Sequence, residues 1–393
     1  MNIKRTLLAL LLTFALSIAV AAQDVTTVTI GVLITDEDLN PAQAEVMRNA
    51  VDLAVDEVND DGGIKADNGN IYRLRVQYEA VGNSADVNQA IASLQADGVV
   101  AILGLDSNAL LPADLAINVP LLMTASGIDG AYTNLSDNLF QLRANDTTLG
   151  RMAVEFAMSE LDAEEIGLVA IDSLYANATA EAVIEAINDV DDDSVELTVN
   201  ESHALDTSDM SDIVATISEE NPDAVIVADT LSNTQILLDA LAESDWDGDV
   251  VYAYGDDNLL TINEGELDFY ALRLWSDIVD DTISEDFVDL YETTYGTSPT
   301  ETSALYYDGL NLLVAGLADV GNSAADLQTW LTNTADYTGV QGIYSDANEF
   351  GELIRMAVVV QLDEGELTEE QRYTVDALDD AIEEMSEADD ATS

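Results

Sequence analysis

Cysteine is absent from the 393 residues, and histidine occurs once, at His203. Without cysteine there is no disulfide, no thiol nucleophile and no thiolate metal site. The chain has no second histidine that could help to form a metal site or a serine triad. We interpret His203, which follows a predicted strand, as a surface residue, and we expect no catalytic residue, no metal site and no cofactor.

Basic residues are scarce, because 11 lysines and arginines stand against 78 aspartates and glutamates, and the formal net charge is −67. Phosphate backbones and anionic membranes bind clustered cations, so the composition excludes nucleic acid and anionic membrane surfaces as partners. Apolar residues nevertheless make up 48% of the chain. Their regular recurrence predicts a packed core rather than disorder.

The excess of carboxylates has three interpretations. One is adaptation to high salt, because the Debye length is about 3 Å at 1 M salt and the carboxylates then repel one another weakly. Another is a solvated surface that resists aggregation. The third is calcium binding, but no segment follows the calcium-loop spacing D-x-[DN]-x-[DN]-G-x5-E. We favour the halophilic interpretation.

Residues 1–22 have the pattern of a secretory signal peptide. A basic start precedes an apolar run over Leu7–Val20, and the small residues Ala21 and Ala22 follow. We predict cleavage near these two alanines and a soluble mature protein in the periplasm or outside the cell.

Apolar periodicity predicts an alternation of strands and helices. The predicted strands are 28–34, 72–78, 99–103, 119–123, 166–171, 195–199, 224–228, 250–254 and 353–362, and the predicted helices are 43–59, 87–94, 110–117, 148–160, 177–188, 209–220, 232–243, 284–295 and 302–318. Strands that alternate with helices of this length form parallel sheets with right-handed crossovers. The chain length favours two domains. We therefore expect an α/β fold with two doubly wound parallel-sheet lobes joined by a multi-crossing hinge.

The same pattern suggests where the chain divides. We assign residues 23–145 plus 279–338 to an N-terminal lobe, and residues 146–278 plus 339–365 to a C-terminal lobe. Residues 366–393 form an acidic C-terminal extension. Helical spacing of the apolar residues within 375–385 leaves two interpretations for its end, a short amphipathic helix or a solvated tail.

Polar loops follow several predicted strands, and in open parallel sheets ligands bind beyond the carboxyl ends of the strands. These loops are 35–38, 105–108, 124–128, 172–175, 229–230 and 255–258. Their hydroxyls and backbone N–H groups suit a carboxylate, and their aspartates suit an ammonium group, so a zwitterion would satisfy both. Each residue taken alone also fits ordinary helix capping. No Walker loop, G-x-G-x-x-G turn or activated nucleophile accompanies them, which indicates binding rather than catalysis.

Four ordered segments carry a family resemblance. They are Ile30-Gly31-Val32-Leu33 with its continuation to Ile64, then 97–104, Tyr306-Tyr307-Asp308-Gly309 and 337–345. Together they resemble the type I periplasmic binding proteins, specifically the leucine/isoleucine/valine-binding family. The resemblance implies a periplasmic binding protein-like I fold and an extracytoplasmic solute-binding protein of an ABC importer. Such a protein captures a branched-chain amino acid or a related small polar molecule by lobe closure and works with ABC permease subunits. We expect the protein to be a monomer.

The resemblance also implies a set of ligand-binding residues. Ser107, Ser126 and Gly127 fall on the two loops that hold the ligand carboxylate, followed by Ile128, where amino-acid binders tend to have a hydroxyl. Tyr175 falls where a tyrosine covers the ligand. The acidic residue that binds the amine corresponds to Asp256 or Asp257. Ile128, together with Ala176 in place of a glycine, leaves a short amide, a urea-like compound or another amino acid open as the ligand.

Two other functional classes stay open on the sequence alone. A ligand-sensing regulatory protein can share this fold and present its surface to a receptor instead of a permease. A secreted hydrolase that uses paired carboxylates is the enzyme alternative, although pairs among 78 carboxylates carry little specificity without their separation in space.

Overall fold

The structure is a computed structural model that describes residues 25–107, 110–125, 127, 129, 132–190, 195–255, 258–278, 281–354, 356–363 and 365–374. The predicted signal peptide, residues 1–22, and the helical pattern within 375–385 lie outside the described residues.

Strands and helices alternate along most of the chain. The strands are β1 (Val25–Thr35), β2 (Ile64–Lys65), β3 (Ile71–Val81), β4 (Ile102–Gly104), β5 (Leu121–Met123), β6 (Leu139–Gln141), β7 (Glu165–Ile171), β8 (Glu196–His203), β9 (Ala224–Ala228), β10 (Asp249–Tyr252), β11 (Phe269–Arg273), β12 (Asp336–Thr338), β13 (Ile343–Ser345), β14 (Met356–Asp363) and β15 (Glu366–Thr374). The helices are α1 (Pro41–Asp60), α2 (Ser84–Ala96), α3 (Asp146–Ser159), α4 (Leu174–Asp189), α5 (Ser211–Glu220), α6 (Leu231–Leu241), α7 (Thr282–Tyr295), α8 (Glu301–Val320) and α9 (Ala324–Asn333).

Two sheets form two lobes, and β12 pairs with β13 in a separate hairpin. The first lobe has the six-stranded order β2-β3-β1-β4-β5-β6, and the second has the seven-stranded order β15-β14-β11-β10-β9-β7-β8. In the first sheet only β2 is antiparallel to its neighbour. In the second, β14 and β15 are antiparallel additions to a parallel sheet. The predicted α/β fold with two parallel-sheet lobes is confirmed.

The strand order locates the place where each sheet can bind a ligand. Strand order reverses between β1 and β4 in the first sheet, and between β7 and β9 in the second. Loops on the two sides of such a reversal diverge, which opens a crevice at the carboxyl ends of the strands. The loops that follow β1, β4, β7 and β9 are therefore the expected ligand positions.

Burial on both faces explains why the sequences of the central strands are almost entirely apolar. All five residues of β9 are buried, and β1 is buried continuously from Val28 to Ile34. Helices cover both faces of a parallel sheet, so the side chains on both faces of a strand are buried and none faces water.

Capping residues fix where the helices begin. Asn145 accepts the Thr148 N–H at 2.8 Å, and the Ser173 hydroxyl accepts the Ala176 N–H at 3.3 Å.

Some elements differ from the sequence predictions. β6, β11 and α9 were not predicted, and the helix predicted at 110–117 is wrong, because residues 111–117 contain no helix. Pro112 lacks the N–H that a helix turn needs. The Gln95 side chain instead holds this segment, donating to the Ala116 carbonyl at 3.3 Å and accepting the Asn118 N–H at 2.7 Å.

The C-terminal part of the described chain is sheet. Residues 366–374, which the sequence places in an acidic extension, form β15 and pair with β14. Of the predicted lobe boundaries, 145/146 lies at the N-cap of α3, whereas 338/339 lies inside the β12–β13 hairpin.

The chain passes between the lobes after β6, after β11, where it enters α7 and α8, and between β13 and β14. α8 packs on the first lobe, where the Tyr306 hydroxyl donates to the Leu33 carbonyl at 3.2 Å. Buried polar contacts join these crossings. The Glu352 carboxylate in the last crossing accepts the Asn145 N–H of the first at 2.8 Å, and it also accepts the Asn348 amide at 2.8 Å. The Ser284 hydroxyl at the start of α7 accepts from the Trp275 indole N–H at 3.0 Å and donates to the Val340 carbonyl at 3.0 Å.

Two segments of the family resemblance meet at this hinge. Asp308 of α8 is fully buried and accepts the backbone N–H groups of Val340 and Gln341, each at 2.8 Å. Gly339 is required beside it, because a Cβ there would lie 2.5 Å from the Asp308 carboxylate. Burial raises the pKa of Asp308 to about 6. The carboxylate thus fastens the hairpin segment to α8.

Candidate functional site

A cavity of about 270 Å³ lies at the carboxyl ends of the second sheet. Its lining residues come from the first crossing and from the segments after β7, β9 and β10. They are Arg143, Asp146, Ile171, Ser173, Tyr175, Ala176, Asp229, Thr230, Tyr252, Tyr254 and Gly255. The cavity therefore occupies the point where the strand order reverses, which is where ligands bind in such sheets.

Charges of both signs meet at one side of the cavity. Arg143 Nη2 lies 3.6 Å from Asp146 Oδ1, and their side chains are 13% and 1% exposed. Asp146 is the first residue of α3, and its backbone N–H donates to the Gly127 carbonyl of the first lobe at 2.8 Å. A cation and a carboxylate placed together in this way can face the two ends of a zwitterion.

A second carboxylate, Asp229, enters the cavity after β9. Its Oδ1 accepts the Thr230 N–H at 2.6 Å and the Asn233 side-chain amide at 3.0 Å. Its Oδ2 lies 2.6 Å from His203 Nε2. The interpretation of His203 as a surface residue is wrong, because the residue is only 9% exposed. β8 runs on to His203, four residues beyond the predicted strand end, and pairs it with Ile171 at the end of β7.

Tyr175 joins the two lobes. It follows Ser173, the N-cap of α4, and lines the cavity. Its hydroxyl is hydrogen-bonded to that of Tyr132, a buried residue of the first lobe. Burial raises the pKa of both phenols, so both stay neutral at physiological pH and present hydroxyls. Tyr132 has no motif in the sequence that would mark it as a site residue.

Aromatic rings form another wall of the cavity. The rings of Tyr252 and Tyr254 meet edge to face at 6.0 Å between centroids. The Tyr254 hydroxyl lies 3.0 Å from the Thr179 hydroxyl, and Thr179 in turn donates to the Asp146 carbonyl at 3.2 Å. Burial raises the pKa of Tyr254 as well. This wall offers apolar ring surface to a ligand and fixes the backbone that carries Asp146.

Of the predicted site residues in the first lobe, Gly127 lies near the cavity and Ser107 lies apart from its lining. A Cβ at Gly127 would lie 2.7 Å from the Tyr132 ring and would also meet Gln141, so the close packing behind Tyr132 requires glycine. Ser107 is partly exposed on the loop after β4, where its carbonyl accepts the Leu110 N–H at 3.1 Å.

The other predicted site residues, Ser126, Ile128, Asp256 and Asp257, lie outside the described residues. Gly255, which directly precedes the two aspartates, lines the cavity. Within the ranges that the structure describes, no group of three or more potential ligands could hold a metal ion. In the same ranges no helix is long and apolar enough to cross a membrane.

Comparisons with known proteins agree with this architecture. The sequence profile of the family described as periplasmic binding protein matches residues 27–366. No curated protein sequence matches the chain significantly.

Solved structures share the fold. LivJ from Streptococcus pneumoniae, a branched-chain amino acid transporter substrate-binding protein in complex with isoleucine, is 20% identical with a TM-score of 0.70, over 89% of this chain and 99% of that one. A putative branched-chain amino acid ABC transporter protein from Rhodospirillum rubrum is 18% identical with a TM-score of 0.73, over 88% of this chain and 100% of that one. A solute-binding protein of an ABC transporter from Rhodopseudomonas palustris, in complex with 3,4-dihydroxybenzoic acid, is 17% identical with a TM-score of 0.68, over 88% and 97% of the two chains. The resemblance drawn from the sequence is confirmed, and the chain belongs to the periplasmic binding protein family.

Proposed function

We propose that this protein is an extracytoplasmic solute-binding protein of an ABC importer, and that it captures an amino acid of the branched-chain type or a related small polar molecule between its lobes. The proposal rests on the cavity at the place where the strand order of the second sheet reverses. Beside this cavity, Tyr175 contacts Tyr132 of the other lobe. A ligand in this position lies beside a contact between the two lobes, so its binding can be coupled to their closure.

The cavity suits a small carboxylate-bearing ligand. Arg143 offers a cation for a carboxylate, and Asp146 lies beside it for an amine. Isoleucine and 3,4-dihydroxybenzoic acid, the ligands in the LivJ and Rhodopseudomonas palustris structures, both carry a carboxyl group. The aromatic wall formed by Tyr252 and Tyr254 can pack against an apolar side chain. The volume of about 270 Å³ fits a ligand of amino-acid size.

Closure gives the charges their effect. Ion pairs are stronger when water is excluded, because the effective dielectric constant falls. The ligand stabilises the closed arrangement only through contacts that the open one does not make. Ser107, Ser126, Gly127 and Ile128 of the first lobe, with Asp256 or Asp257 of the second, remain the proposed additional ligand contacts.

Location and partners follow from the same proposal. The pattern of residues 1–22 supports export to the periplasm or beyond, and ABC permease subunits are the proposed partners of a monomeric protein. The net charge of −67 supports a high-salt environment. Binding without turnover is the proposed activity, since the lining residues that the structure describes include no activated nucleophile.

Native mass spectrometry of the purified protein tests the proposal directly. A protein that closes on its ligand is expected to retain it, and the mass difference before and after denaturation gives the mass of the ligand. Calorimetry with leucine and other amino acids then measures affinity, and mass analysis of the recovered compound detects turnover. A chemically altered compound would indicate the hydrolase alternative, and binding to no small molecule would contradict the proposed function.

A further inference from the structure

The only histidine of the chain is buried beside the cavity. The side chains of His203 and Asp229 are 5% and 1% exposed, and His203 Nε2 lies 2.6 Å from Asp229 Oδ2. The other ring nitrogen, Nδ1, lies 3.0 Å from the Ala204 carbonyl oxygen. Each nitrogen of the imidazole thus faces an oxygen atom.

The two oxygens determine where the hydrogens lie. A carbonyl oxygen only accepts hydrogen bonds, so the contact with Ala204 requires a hydrogen on His203 Nδ1. One more proton is shared between His203 Nε2 and Asp229 Oδ2. On Nε2 it gives a cationic imidazole beside an anionic carboxylate, and on Oδ2 it gives two neutral groups. The pair has no net charge in either case.

The surroundings of Asp229 favour the ionised carboxylate. Its Oδ1 accepts the Thr230 N–H and the Asn233 side-chain amide, and donors of this kind stabilise a negative charge. His203 Nε2 then supplies the third donor and the compensating positive charge. A buried carboxylate without such a partner would be strongly unfavourable.

The charge of the pair matters because Asp229 lines the cavity. The charged residues in the described lining are Arg143, Asp146 and Asp229. Arg143 stands beside Asp146, and His203 stands beside Asp229. Without the proton on His203, the described wall would carry one more negative charge than positive charges. A ligand carboxylate would then be repelled and a purely cationic ligand favoured.

We propose that His203 is a positioning residue that neutralises Asp229, and that this pair makes the cavity select ligands without net charge, such as zwitterions. The selectivity part rests on the proposed solute-binding function. The charge of the pair does not, because it can be measured without any ligand.

Nitrogen NMR of the imidazole is the ligand-free test. An untagged chain gives a single histidine signal set, so assignment is unambiguous. At about pH 7.5 an ordinary imidazole, with a pKa of about 6.5, is mostly neutral. We expect hydrogens on both ring nitrogens in the wild type, and the ordinary neutral ring in Asp229→Asn. A neutral ring in the wild type, with its single hydrogen on either nitrogen, would overturn the proposal, as would two ring hydrogens that persist in the variant.

Calorimetry tests the selectivity with two matched probes. Leucine is a zwitterion, and leucinamide has the same side chain but is a cation at about pH 6.5. His203→Gln retains a donor for Asp229 but removes the charge, and we expect the ratio of leucine to leucinamide affinity to fall about tenfold, or 1.4 kcal/mol. Arg151→Gln is the control, because it removes one positive charge from an exposed pair with Glu185, and the ratio should not change.

The outcomes separate the two proposals. An unchanged ratio in His203→Gln contradicts the selectivity role of His203. Failure of both probes to bind the wild-type protein contradicts the amino-acid ligand of the proposed function, while the NMR measurement still decides the charge of the pair.

Discussion

Among single residues, Tyr175 is expected to contribute most to binding. It lines the cavity and contacts Tyr132 of the other lobe. If the proposed function is correct, its loss removes both a ligand contact and a contact that favours closure. We predict that Tyr175→Ala weakens leucine binding more than about tenfold in calorimetry, which corresponds to 1.4 kcal/mol or more. Tyr175→Phe, which keeps the ring, should weaken binding less.

Tyr295→Phe is a matched control for this prediction. The Tyr295 hydroxyl donates to the Asn49 carbonyl at 2.8 Å, away from the cavity lining. Its loss should leave the affinity unchanged. If Tyr175→Ala binds leucine as tightly as the wild type does, Tyr175 does not contribute to ligand binding.

Asp249 lies among like charges and should make stability depend on pH. Burial, followed by the charges of Asp268 and Asp223, raises the pKa of Asp249 to about 6. A carboxyl with a raised pKa binds its proton more tightly in the folded state, so its contribution to stability increases as the pH falls from about 6 towards 4. Above that window the ionised form destabilises the fold.

We therefore predict that Asp249→Asn stabilises the protein near neutral pH. The full shift corresponds to about 3 kcal/mol, but half-exposed charges are screened, and on the order of 1 kcal/mol is expected. Urea unfolding in low salt at about pH 7 and pH 5 measures the effect, which should shrink at the lower pH. Asp247→Asn, at an exposed position nearby, is the control. Destabilisation by Asp249→Asn at neutral pH would contradict the assignment.

Site residues could be predicted only where the sequence carries a local pattern. Tyr175 lies in the first turn of the helix that follows β7. Ligands bind in the loops at the carboxyl ends of parallel strands, so its position in the sequence is enough to make it a candidate. His203 and Tyr132 function through partners that lie 26 residues away or in the other lobe. No spacing rule connects such pairs, because the tertiary fold alone brings them together.

At the level of elements, Glu352 links the first and the last crossing between the lobes. This residue is 1% exposed, and its carboxylate accepts the Asn145 N–H and the Asn348 amide. Truncation would leave buried donors without acceptors. We predict that Glu352→Ala lowers the free energy of unfolding by about 2 to 4 kcal/mol, measured by urea denaturation.

Glu349→Ala is the matched control, since Glu349 is exposed in the same crossing. It should change the stability little. If both variants unfold at the same urea concentration as the wild type, the contacts of Glu352 do not stabilise the hinge.

Elements with a continuous apolar signal were predictable, whereas some elements that depend on their neighbours were not. β9 and α8 carry uninterrupted apolar signals over whole elements. β6 has only three residues and depends on its neighbours in the sheet. β15 has an acidic sequence without an apolar strand pattern, and it forms a strand because it pairs with β14. Sheet edges of this kind are set by tertiary pairing rather than by intrinsic propensity.

For the whole molecule, the order of strands and helices predicts the two lobes because each parallel crossover requires a helix of a certain length. The relation of one lobe to the other depends on a few buried contacts at the crossings, such as those of Asp308 and Glu352. Those contacts join segments that are far apart in sequence, so the strand pattern alone places the cavity on a sheet edge but does not identify its complete lining.

The net charge of −67 should make the whole fold depend on salt. At about 0.1 M salt the Debye length is about 10 Å, and carboxylates on neighbouring helices repel one another. At about 1 M salt it is about 3 Å, and the repulsion is largely screened. Because the folded state concentrates these charges more than the unfolded chain does, screening should stabilise the fold. We predict a higher melting temperature in molar sodium chloride than in dilute buffer.

A sucrose solution of equal osmolality is the control, because it lacks ions but is also excluded from protein surfaces. Stabilisation by salt well beyond that by sucrose would identify charge screening as the cause. Binding of leucine should be measured in both salt conditions, since screening also weakens the long-range field of the surface. If the melting temperature is the same in dilute buffer and in molar salt, the carboxylates do not strain the fold, and the acidic surface has a role other than adaptation to salt.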